Sequence, residues 1–262
     1  AQCHHHPYER WSQQDYWSFG AFFAQVGRKP GSQPGEDVIF HRRGIAQATN
    51  KKNGQPVKPA GLGTAMGEMT ADDDPRVPLA DWMTSPRNPW FAKAVVNRYW
   101  KHFFGRGLVD PEDDLRDTNP PTNPELLDAL AAHFVKGGFD LKDLVRTLAK
   151  STTYQLSAEP NEHNARDRHH FSRFYPRRLH AEVLLDSVHL VMGAETKFDG
   201  MPAGMRAVCL PDNSFNTSSY FLTVFGRPDA SSSCECERSL DASLSQALHL
   251  LNSKDIQTKL SA

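Results

Sequence analysis

Between residues 79 and 148 apolar side chains return every three to four positions in three successive runs, each with its own start and stop signals. In the first run Asn88 can cap a helix and Pro89 suits its opening position, because proline lacks only an N–H that has no partner there. Phe91, Val95, Arg98 or Tyr99, and His102 or Phe103 then make a broad aromatic face, which Gly105 and Gly107 bring to an end. The second run sets Asn123 as cap before Pro124, with Glu125 near the positive end of the dipole. Leu126, Leu127, Leu130 and Phe134 follow as far as Gly137-Gly138. Asp140 and Asp143 open a third run, with Leu141, Leu144, Val145 and Leu148. Three capped helices joined by short connections predict antiparallel neighbours around a shared core.

The flanking regions carry other patterns. Ser12 and Asp15 make a helix start, followed by an apolar face of Tyr16, Phe19, Phe22 and Phe23. Residues 27–37 are rich in glycine, proline and polar groups and read as a linker. Strand character at 38–40 and 46–57, with Asn53-Gly54 between apolar positions, predicts a small β-hairpin. A later helix carries Leu179, Val183, Leu184, Val188 and Val191 up to Gly193. Arg177 and Arg178 stand at its start, where the dipole disfavours cations, so they are expected to pair with acids or to bind an anionic group. Residues 194–232 lack helix signals and read as a long irregular excursion. Leu240, Leu244, Leu248 and Leu251 then line one helix face, and Ser253 caps a last helix that reads as cut short. The expected fold class is mainly α: a helical domain with a small β-hairpin and long ordered loops.

Composition narrows the functions. A formal charge of −1 over 262 residues gives no global field for nucleic acid or an anionic membrane. The hydrophobic fraction of 39% suits an ordered globular chain. No apolar run approaches the roughly 18 residues of a membrane span. The chain starts at Ala1-Gln2-Cys3 without methionine, and so reads as a fragment.

Four stretches carry candidate chemistry. A c-type haem site is C-x-x-C-H, in which two thiols anchor the haem and the histidine ligates iron, and Cys3 and His4 match its last two positions. The alternative is a histidine cluster, His4 to His6, at a frayed terminus. On the central helix Asn97, Arg98 and His102 could face a cleft, or serve as buried, hydrogen-bonded polar groups. The acidic loop holds Asp110, Asp113, Asp114 and Asp117, which could supply oxygen ligands or an acid and a base. Its plainer role is capping and pairing with Arg98, Arg106 or Arg116. Cys234 and Cys236, with Glu235 and Glu237, could bind a soft metal, form a redox pair, or be oxidised with Cys209. Neither Asp72-Asp73-Asp74 nor the histidines at 163, 169 and 170 has the spacing of a known metal motif.

The runs NPWFAKAVVNRYWKHFFGRGLV, NPPTNPELLDALAAHFVKGGFDLKDLVRTL and CECERSLDASLSQALHLLN resemble the C-terminal domain of large planctomycete proteins, the PSD domain or domain of unknown function 1553. Residues 1–16, with Cys3, His4, Pro7, Trp11, Asp15 and Tyr16, resemble the end of a planctomycete cytochrome c-type domain (DUF 1549). The resemblance divides the chain into a cytochrome-like remnant at 1–30, a linker with hairpin at 31–75 and the helical domain at 76–262. It implies haem c in the full-length protein, but not in this stretch alone, where one thioether anchor is missing. It also implies an upstream cytochrome-like partner domain and a periplasmic, cell-surface or secreted location, and it ranks Cys234 and Cys236 above Cys209. The leading expectation is a redox or electron-transfer role at the cell envelope. The rivals are a scaffold or polysaccharide-binding module, with Trp11, Trp17 and Trp90 stacking on sugars, and a polysaccharide-degrading enzyme using a carboxylate pair.

Overall fold

The computed structural model describes residues 3–32, 36–194, 196–210, 219–228 and 242–260. The chain divides into two compact units, 1–175 and 176–262. Among the described residues both are mainly α, with only small two-stranded antiparallel sheets, all of them in the first unit.

In the first unit α1 (Gln13–Gly20) starts where the sequence places it. The Ser12 hydroxyl accepts from the Asp15 N–H, and the Asp15 carboxylate accepts from the Ser12 N–H at 2.8 Å. A 3-10 turn, Ala21–Phe23, follows and buries Ala21 and Phe22 completely. The expected linker at 27–37 is instead half of the longest hairpin: β1 (Val26–Pro30) pairs with β2 (Asp37–His41). What looked like linker chemistry at Gly27 is a packing requirement, because Gly27 lies opposite Phe40 and a Cβ there would strike the ring. The Asn53-Gly54 hairpin forms, with Gly54 at φ +69°, but its strands β3 (Ala48–Thr49) and β4 (Pro56–Val57) are only two residues long. A third short pair joins β5 (Ala60–Gly61) to β6 (Thr64–Ala65).

The helices of this unit are α2 (Arg76–Met83), α3 (Phe91–Phe104), α4 (Pro124–Lys136) and α5 (Leu141–Lys150). The N-cap of α3 is Trp90 rather than Asn88, and the helix opens two residues after Pro89; the Asn88 side-chain oxygen still accepts from the N–H groups of Trp90 and Phe91 at 2.9 Å. Its buried face is displaced by one position from the expected stripe. Ala92, Val96, Trp100 and Phe104 go inside, whereas Val95, Tyr99 and Phe103 are partly covered. Gly105 ends the helix at φ +82°. The Asn123 and Asp140 caps form as expected. From α4, Leu127, Leu130, Ala131 and Phe134 meet Leu144 and Leu148 of α5 and the α3 face in one core. Trp100 stacks on Phe104 with centroids 4.0 Å apart, and Phe171 closes the core edge-on at 5.2 Å from Trp100.

The second unit holds α6 (Ala181–Met192), α7 (Tyr220–Val224), α8 (Leu244–Asn252) and α9 (Lys254–Leu260). The helix α6 begins at Ala181, so Arg177 and Arg178 precede it rather than crowd its dipole; Arg178 donates to the Phe225 carbonyl at 3.0 Å. The core gathers Ala181, Leu185, Phe198, Ala207, Phe221, Leu222, Phe225 and Ile256. Two pieces of the expected irregular excursion are short helices, α7 and a 3-10 turn at Ala207–Cys209. The leucine face expected on α8 lies outward, with Leu244 and Leu251 about three-quarters exposed, while Gln246 and His249 are buried.

Candidate functional site

The N-terminal segment is built onto the first unit through polar anchors. The His6 N–H donates to the Trp11 carbonyl at 2.9 Å, and the Gln13 N–H donates to His5 Nδ1 at 3.2 Å. Thr118 donates to Glu9, and the Arg116 guanidinium sits over the Tyr8 ring. Trp11 packs edge-on to Trp90, which in turn leans on Trp82. Cys3 is exposed and free, and His4 follows it at the surface.

The three adjacent histidines differ in which ring nitrogen stays open. His4 Nδ1 lies 2.6 Å from the His5 carbonyl oxygen. A carbonyl has no proton to give, so Nδ1 must be the donor, which in the neutral ring leaves Nε2 with a bare lone pair. His5 Nδ1 accepts from the Gln13 N–H, and His6 Nδ1 accepts from the Tyr8 N–H at 3.3 Å. In both of these neutral rings the proton therefore sits on Nε2. Only His4 of the three is poised to ligate through Nε2, with a carbonyl orienting the ring from behind, the arrangement usual for metal-bound histidine.

Beside this segment lies a cleft of about 510 Å³, lined by His6, Trp11, Tyr16, Trp17, Phe19 and Phe23 among others. The sequence assigns Tyr16 and Phe23 to the apolar face of the first helix, and Trp11 and Trp17 to the sugar-stacking rings of a rival reading. The fold instead brings all four to one apolar concavity, where Tyr16 and Phe23 remain 41% and 49% exposed. The signal for this was present: an aromatic helix face with too few apolar partners in the neighbouring strands to cover it.

The central helix and the acidic loop form a second cluster. Asn97 is fully buried; its amide donates to the Val109 and Glu112 carbonyls at 2.8 and 3.0 Å, and its oxygen accepts from the Val109 N–H at 3.0 Å. Four of the loop acids are each set against a base. Arg106 meets Asp110, Lys101 meets the buried Glu112 at 2.6 Å, Arg98 meets Asp113 at 3.3 Å, and Arg116 meets Asp114 at 2.6 Å. Burial alone would push the Glu112 carboxyl up, but the Lys101 ammonium and the loop backbone hold it below its ordinary value. These carboxylates neutralise neighbours rather than face one another across a cavity. His102 is exposed and packs edge-on to Phe103.

In the second unit a concavity of about 670 Å³ flanks the C-terminal half of α6, with Asp186, Ser187, His189 and Arg206 in its lining. Asp186 accepts from the Ala207 and Val208 N–H groups and pairs with Arg206, and His189 Nε2 lies 2.7 Å from the Thr196 hydroxyl. Asp186 and His189 stand three residues apart, a spacing that sequence reading passed over. Cys209 is exposed and free. Cys234, Cys236 and Glu237 lie outside the described residues. Among the described residues no group of three or more histidines, cysteines or acids could hold a metal ion, and no helix is long and apolar enough to cross a membrane.

Residues 75–262 match the family described as PSD1, protein of unknown function (DUF1553). The chain belongs to the DUF1553 family. Residues 1–28 match a second family, PSCyt2, protein of unknown function (DUF1549). No curated protein and no solved structure matches the chain. The DUF1553 stretch opens one residue before α2 and takes in both helical cores, whereas the DUF1549 stretch ends inside β1. Cys3, His4 and the aromatic lining of the cleft thus lie in the DUF1549 stretch, upstream of the DUF1553 helices.

Proposed function

We propose that the chain is part of a redox protein, in which Cys3 and His4 complete a c-type haem attachment motif and the DUF1553 helices serve as its accessory domain. The observation that carries this reading is the orientation of His4, whose Nδ1–H on the His5 carbonyl leaves Nε2 free for iron. The exposed Cys3 thiol beside it is of the right type for a thioether bond. The motif needs a further cysteine directly before Ala1, and the reading depends on it. Bound haem would supply one-electron chemistry; the protein's part is to hold the iron ligand and to limit access of water. The expected location is the periplasm, the cell surface or the exterior.

The rival readings have less in their favour. A polysaccharide-degrading enzyme needs two acids facing each other about 5 to 10 Å apart, and Asp110, Glu112, Asp113 and Asp114 are each paired with a base. A sugar-binding scaffold would draw on Trp11 and Trp17, but these sit in a concavity with His6 rather than in a flat exposed row.

The test is the absorption spectrum, oxidised and reduced, of the full-length protein produced in a host with cytochrome c maturation. A reduced c-type spectrum that is lost in His4→Ala and kept in His5→Ala is the expected result. A folded protein without haem, or equal loss in both variants, overturns the reading.

A further inference from the structure

From the cleft beside the N-terminal segment we infer that Trp11, Tyr16, Trp17, Phe19 and Phe23 form the seat for the flat, apolar edge of the tetrapyrrole carried by Cys3 and His4. This rests on the haem reading above and adds where the group lies and which residues shield it. Three observations support that occupant over others. The tether is short, because His6, two residues beyond His4, is itself part of the cleft wall. The wall is aromatic and its lining carries no charged side chain, which suits the apolar body of a planar ring. Its volume of about 510 Å³ is in the range of sites that enclose much of a ligand of a few hundred daltons. His6 contributes the polar edge: with its Nδ1 occupied by the Tyr8 N–H, its Nε2–H is a donor to a group at the rim.

Two features make the cleft look kept open rather than left over. Tyr16 and Phe23 are large and close to half exposed at its mouth, although neighbouring Ala21 and Phe22 are completely buried. At Gly20, which ends α1 within the lining, an added Cβ would meet nothing within 4 Å, and the backbone there is ordinary right-handed helix that any residue adopts. A larger side chain at that position would fill the cleft without straining the chain.

The experiment uses the full-length protein matured with haem, and compares it with Gly20→Leu, Phe23→Ser and a remote control, Leu141→Ser. Far-UV circular dichroism checks that each variant is folded, and the readouts are the visible spectrum and the midpoint reduction potential. An apolar seat disfavours the more highly charged oxidised iron, so it raises the potential. Gly20→Leu is expected to displace the ring and Phe23→Ser to admit water, so both should lower the potential and alter the visible bands, while Leu141→Ser changes neither. Haem that is attached in all variants with an unchanged spectrum and potential overturns the seat but leaves the attachment reading intact. A parent protein that folds without a c-type spectrum overturns both.

Discussion

Asn97 satisfies three backbone groups at once in a place water does not reach. Its two donors and its acceptor fold the chain after α3 back on the helix, so that Leu108 and Val109 enter the core and the acids of the loop meet the bases of α3. Gly107 is part of the same device, because a Cβ there would press into the Val109 carbonyl and the Asn97 amide. Asn97→Ala would leave one N–H and two carbonyls buried without partners, each costing on the order of 1–3 kcal/mol less whatever relaxation admits. The expected loss is about 3 kcal/mol in urea unfolding followed by tryptophan fluorescence. Asn97→Asp should be no better, since a carboxylate facing two carbonyls can donate to neither unless it takes up a proton. A loss below about 1 kcal/mol in Asn97→Ala would mean that the loop is held by its ion pairs instead. From sequence, a helical asparagine amid aromatics could be read as a cleft residue or as a structural one. Its partners lie twelve to fifteen residues ahead in an irregular loop, which no periodicity announces.

The stretch after α5 is an irregular connection tied by side-chain hydrogen bonds. Asp167 accepts from the backbone N–H groups of His169, His170 and Ser172 and from the Ser172 hydroxyl. That knot turns Phe171 through a left-handed backbone at φ +54°, strained for a bulky residue, and delivers its ring to the core beside Trp100 and Phe104. Burial would raise the Asp167 carboxyl, but the four hydrogen bonds, the Ser172 hydroxyl foremost, outweigh it and hold the group well below the usual carboxylate range. The sign follows from linkage. A carboxylate depressed in the folded state stabilises fully above its unfolded pKa of about 4, and that contribution is lost as pH falls from there towards the folded value. Asp167→Ala is expected to cost on the order of 2 kcal/mol at neutral pH. The deficit should shrink below about pH 4, where the parent loses the same interaction. A pH-independent difference in urea midpoints would show that the charge is not what ties the knot. Capped helices were legible in the sequence because each start needs only a residue and its neighbour three positions on, as Ser12, Asn123 and Asp140 demonstrate. Which face goes inside was less so. The stripe on α3 was displaced by one position and that on α8 was reversed, because burial depends on what the rest of the chain brings against a helix.

At the scale of the molecule, the division into 1–175 and 176–262 cuts through the DUF1553 stretch, and each unit has a core of its own. The sequence pattern showed the three central helices but could not show that the N-terminal segment joins them, since the bond from Thr118 to Glu9 spans 109 positions and Trp11 meets Trp90 from far along the chain. The aromatic cleft arises from that return of the chain, which is why its parts could be named in advance and its existence could not. The central helical core of the first unit is drawn from residues 92–171, and all five tryptophans lie before residue 101. Burying this cluster at about 25 cal/mol per Å² of apolar surface draws nothing from beyond residue 175. Residues 1–175 produced alone are therefore expected to unfold in urea in a single cooperative step by tryptophan fluorescence and far-UV circular dichroism. A gradual, non-cooperative loss of both signals would mean that this core needs residues 176–262 to close, and the DUF1553 helices would then have to be treated as one folding unit.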